Sequence, residues 1–98
     1  MSVRVYRINK IEYEQGETFN LWHDKKVTAW LQNNTDFYDV LNFDLCGVAE
    51  LRVEMVEELI SYLIHDNDPE YKDTIKWLER DVQWAKDNKE DFIRYYCF

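Results

Sequence analysis

Two stretches in the second half of the chain repeat their apolar residues at helical spacing, and a single Asp-Pro step divides them. In the first, about Val53 to His65, Val56, Leu59, Ile60 and Leu63 share one face. Glu54, Glu57, Glu58, Ser61 and His65 lie towards the other. In the second, Tyr71, Ile75, Leu78, Val82 and Ala85 recur in steps of four and three, which predicts a helix running to about Asn88. Asp68 is placed to cap this helix and Pro69 to fill its first position, where a missing N–H costs nothing. Two amphipathic helices must bury their apolar stripes against something, and the remaining residues have to supply it.

A small sheet is the expected supplier. Val3, Val5, Tyr6 and Ile8 form a β-branched and aromatic run that predicts a first strand, continuing through Ile11 and Tyr13 to a turn at Gln15-Gly16. Gly47 to Leu51 reads as a short strand leading into the first long helix, and Phe92 to Phe98 as a closing strand. Between them, Phe19, Leu21 and Trp22 make a short apolar segment. Asp24 then caps a short helix carrying Val27, Trp30 and Leu31, which the polar run Asn33 to Asp36 ends. Phe37 to Leu45 follows neither period. At 98 residues the chain makes one domain with a core that needs no staple. The expectation is therefore an α+β fold over residues 1–98: a small antiparallel or mixed sheet covered by two longer helices and one short helix.

Charge is distributed unevenly. The formal net charge is −8. Residues 1–32 carry +1 and residues 71–98 balance, while residues 33–70 hold Arg52 against ten carboxylates, a net −9. Such a chain has no basic excess to displace phosphate counterions, so direct nucleic-acid binding is not expected, nor is an anionic membrane surface. Glu54 and Glu58, four residues apart with Glu57 beside them, repel each other along a helix. Together with Glu50 they suit a partner rich in Lys and Arg. Aromatic residues make up 16% of the chain, and Trp77 and Trp84 fall together on the last helix, away from its apolar stripe. They call either for another element of the chain to cover them, the first expectation, or for a partner or second subunit.

Candidates for chemistry are few. His23-Asp24 are neighbours in sequence, and adjacent side chains rarely face one another. His65 sits at a helix C-terminus, where the dipole favours it. Asp66, Asp68, Glu70 and Asp73 resemble a calcium loop only faintly, because Tyr71 and Trp77 stand where a glycine and an acid are required. Glycine-rich phosphate loops, nucleophile elbows, HExxH and CxxC are missing from the sequence. No catalytic residue, metal site or cofactor is expected. The opening MSVRVYRINK lacks the apolar core of a signal peptide and no stretch reaches membrane-span length, so Cys46 and Cys97 are expected as reduced, buried thiols in a cytoplasm.

Three stretches carry a resemblance. FNLWHDKKVTAWL (19–31), DLCGVAELRVEMVEELISYL (44–63) and the final YKDTIKWLERDVQWAKDN with its terminal FIRYYCF are similar to segments of a family of small tailed-phage proteins. His23 stands where an Arg is more usual in that family, and the YYCF ending departs from its Ser-Ser-Trp-like one. By composition the chain also resembles small acidic phage inhibitors that mimic DNA, of the anti-restriction and anti-CRISPR type. The resemblance implies a phage source and a host-cell cytoplasmic setting.

Together these readings predict a non-enzymatic binding protein that inhibits a host defence or nucleic-acid-binding protein. Glu50, Glu54, Glu57 and Glu58 would form the acidic contact, with Trp77 or Trp84 as anchor, and a homodimer is a further partner to test. The competing reading is a binder of a small anionic ligand such as a nucleotide, held near Trp22, His23, Lys25 and Arg52.

Overall fold

The computed structural model describes residues 3–7, 12–14 and 16–98. Among them the chain runs as α1 (Lys25–Asn34), a 3-10 turn (Phe37–Val40), β1 (Gly47–Arg52), α2 (Val53–Asp66), a second 3-10 turn (Pro69–Tyr71), α3 (Lys72–Asp87) and β2 (Phe92–Cys97). This is an α+β fold, with three helices and one two-stranded sheet.

β1 and β2 pair antiparallel, with Gly47 opposite Cys97, Glu50 opposite Arg94 and Arg52 opposite Phe92. The pleat sends alternate side chains to opposite faces. Ala49, Leu51 and Ile93 are buried beneath the helices, while Val48, Glu50, Arg52, Arg94 and Tyr96 stand exposed on the other face. The helices thus cover one face and leave the second open.

The long helices form where the apolar period predicts. α2 buries Val53, Val56, Leu59 and Leu63, and α3 buries Thr74, Leu78, Val82 and Ala85, with Tyr71 just before it. Ile75 is only half-buried, so the stripe of α3 is turned slightly towards Thr74. Lys86 of α3 meets Glu57 of α2 at 3.4 Å, which brings the end of α3 alongside the start of α2, antiparallel. α2 stops at Asn67, whose left-handed backbone returns its N–H to the Leu63 carbonyl. The Asp68 carboxylate then accepts from the Glu70 N–H at 3.0 Å, with Pro69 next in line, so the cap forms as expected on a 3-10 turn that precedes α3.

Two predictions are corrected. Residues 3–7 adopt no strand, and Val3, Val5 and Tyr6 are exposed. Ile8, Ile11 and Gln15 lie outside the described residues. Strand propensity is a preference for a pleated, half-buried surface, and here no ladder is offered to the run, so propensity alone does not order it. Tyr13 nonetheless packs against Tyr96 and Phe98, with ring centroids 5.6 and 5.1 Å away. The second correction concerns Asp24. It occupies the N-cap position of α1 but caps no helical N–H; its carboxylate accepts from the Asn20 N–H at 2.7 Å instead.

Side-chain-to-backbone bonds organise Phe37 to Leu45. Phe37 is wholly buried against Phe19, Tyr38 and Tyr95. The Asn42 side chain accepts from the N–H groups of Asp44 and Cys46, both at 2.9 Å, and so closes the turn that feeds β1. A polar knot ties the segment around Thr18 to α3 and β2. The Asp81 carboxylate accepts from the Thr18 hydroxyl at 2.6 Å and from the Tyr95 hydroxyl at 3.1 Å. Burial beside that carboxylate pushes the Tyr95 phenol well above its ordinary range.

Candidate protein-binding surface

The open face of the sheet and the 3-10 turn beside β1 enclose a shallow groove of about 900 Å³. Its apolar lining includes Phe37, Val40, Val48, Met55 and Phe92. Its polar lining carries Asp36, Asp39, Glu50, Arg52 and Arg94. Glu50 and Arg94 face each other across the strands at 3.3 Å, and Arg52 lies 5.1 Å from the centroid of the Phe92 ring. Arg94 is therefore paired with a carboxylate, whereas Arg52 rests on a neutral ring and keeps its charge. Asp36 and Asp39 are exposed and carry no ion pair among the described residues. Outside the Glu50–Arg94 pair, the groove's charges without an ion pair among the described residues are Asp36, Asp39 and Arg52, so the carboxylates outnumber the cation.

The rest of the acidic third is unevenly compensated. Lys26 reaches from α1 to clasp Asp66 and Asp68 at the far end of α2. The clasp raises the Lys26 ammonium well above its ordinary value and holds the Asp68 carboxyl below its own, chiefly through the Lys26 hydrogen bond. Lys86 reaches Glu57, and Arg94 reaches Glu50. Glu54 and Glu58 remain exposed and without an ion pair among the described residues. Cations therefore trim the negative surface at both ends of α2 and leave Glu54 and Glu58, in its first two turns, as the carboxylates of that helix without an ion pair among the described residues.

The acids and tryptophans predicted to act together do not share a surface. Trp77 is 37% and Trp84 54% exposed, so no described element of the chain covers them fully, against the first expectation. At about 100° per residue they project from the side of α3 roughly opposite Lys86. Lys86 faces α2 and its glutamates, so the tryptophans point away from them. The signal that sequence reading missed lies in the 3-10 turn: Asp36 and Asp39 line the groove on either side of the buried Phe37. Phe43 stands entirely free on the following turn.

The residues of the competing reading are separated. Trp22, His23 and Lys25 sit at the start of α1, close to Lys26 and hence to Asp66 and Asp68. Arg52 precedes α2, roughly 20 Å away along a helix of that length. An anion in the groove would moreover meet Asp36 and Asp39.

No family model, curated protein or solved structure matches the chain.

His23 and His65 lie at the start of α1 and near the end of α2, away from the groove. Cys46 and Cys97 are partly buried and unpaired, and burial pushes the Cys97 thiol upward, away from the reactive thiolate. Of the four carboxylates that resembled a calcium loop, Asp66 and Asp68 hold the Lys26 ammonium, and no group of metal-ligating side chains occurs among the described residues. Among the described residues no helix is long and apolar enough to cross a membrane.

Proposed function

We propose that the chain is a non-enzymatic binding protein whose groove receives a cationic, partly apolar segment of another protein. The observation that carries this is the pairing of an apolar lining with two carboxylates that carry no ion pair among the described residues, Asp36 and Asp39. A surface of this kind attracts Lys or Arg at long range and holds aliphatic stems and side chains at contact. Glu54 and Glu58 extend the negative potential past the first turn of α2. In keeping with the resemblance to small tailed-phage proteins, the partner would be a host defence or nucleic-acid-binding protein, inhibited by occupation of its basic surface.

The test is affinity capture from host lysate with wild type, Asp36→Asn/Asp39→Asn and Trp77→Ala/Trp84→Ala chains. A host protein retained at low salt, released at high salt and lost with the aspartate variant supports the groove. Retention by the aspartate variant together with loss by the tryptophan variant moves the site to α3.

A further inference from the structure

The structure contains a strand-like segment without a sheet and a sheet face that Tyr13 covers at its Tyr96 end and that the helices leave open beside Val48, Glu50 and Arg52. Val3 and Val5 are 94% and 93% exposed, and Tyr6 75%. Leaving three such side chains in water forgoes most of their burial energy. Residues 1–11 hold Arg4, Arg7 and Lys10 and no carboxylate, which makes them the basic pole of an acidic chain. The groove offers the complement: Asp36 and Asp39 for the cations, and Val40, Val48, Met55 and Phe92 for the apolar side chains. In the structure residues 3–7 do not line the groove of their own chain.

We infer that residues 3–7 of one copy occupy the groove of a second copy, reciprocally, so that the free protein is an arm-exchanged dimer. The inference rests on the reading of the groove as a site for a cationic extended segment. A net charge of −8 on each copy opposes association of two like surfaces. The basic stretch set against the acidic groove is the route that evades this repulsion. A target segment and the arm then compete for the same carboxylates, and binding the target releases monomers.

Sedimentation velocity on the full chain tests this, with circular dichroism to check that each variant folds. Wild type should sediment at twice the chain mass, and both Arg4→Glu and Asp36→Lys/Asp39→Lys at once the chain mass. Mixing the two variants should restore the dimer, because each arm then meets a groove of opposite charge on the other copy. An arm docked in its own groove would gain nothing from mixing. A monomeric wild type, a dimer that survives both variants, or a mixture that stays monomeric overturns the exchange. If wild type is monomeric while the Asp36→Asn/Asp39→Asn variant still loses its host partner, the exchange falls and the groove reading stands.

Discussion

Replacing Asp81 by Ala should cost far more stability than a surface carboxylate normally would. Its carboxylate is 14% exposed and receives the Thr18 and Tyr95 hydroxyls at 2.6 and 3.1 Å. A hydrogen bond to a charged group contributes about 1.5–3 kcal/mol, and a buried donor left without an acceptor costs about 1–3 kcal/mol. Alanine returns about 0.5 kcal/mol in helix propensity, and the Thr18 hydroxyl can rotate. The net loss should be about 2–3 kcal/mol, or roughly 10–20 °C in Tm for a domain of this size. Tyr95→Phe removes one donor cleanly and should cost about 1 kcal/mol. Because Tyr95 acts through Asp81, the double variant should be less destabilised than the sum of the singles. Urea denaturation followed by tryptophan fluorescence measures all three. An Asp81→Ala loss below about 1 kcal/mol, or full additivity with Tyr95→Phe, would refute the view that this knot anchors the Thr18 segment.

The Lys26 clasp gives a pH signature. The folded-state pKa of Asp68 is depressed, so its contribution is present above the ordinary carboxylate value and is lost as pH falls through the folded one. Thermal melts should show wild type losing stability below about pH 4, and Lys26→Met showing a smaller loss there. Gly47 has φ of +146°, and a Cβ on it would lie 3.3 Å from Leu41 Cδ2, so Gly47→Ala should destabilise by about 1–3 kcal/mol in chemical denaturation. Phe37→Ala, at the centre of the aromatic cluster, should cost about 3–5 kcal/mol and broaden the aromatic proton spectrum.

What could be read from the sequence follows from how local each signal is. α2 and α3 announce themselves because their apolar residues recur over three or more turns, and Asp68-Pro69 marks the break between them. β1 and β2 are legible from short β-branched and aromatic runs. The same kind of signal at Val3 to Tyr6 misleads, because a strand needs a partner that sequence cannot display. Phe37 to Leu45 resists both periods since Asn42 closes its turn through side-chain bonds. The groove is less visible still. It joins Asp36 and Asp39 to β1 and Phe92 across distances that only the fold closes. The acidic excess was legible as a total, but its compensation was not: Lys26 finds Asp66 and Asp68 some forty residues further on.

A basic, partly apolar segment seeking the groove is the claim from which the rest follows. Titration of isotope-labelled protein with a short peptide of alternating Arg and Val, read by amide chemical shifts, addresses it directly. The largest shifts should fall on residues 34–40 and 48–52, weaken with added salt, and vanish in Asp36→Asn/Asp39→Asn. Shifts concentrated on the Trp77 and Trp84 side of α3, or spread evenly along the glutamates of α2, would contradict it.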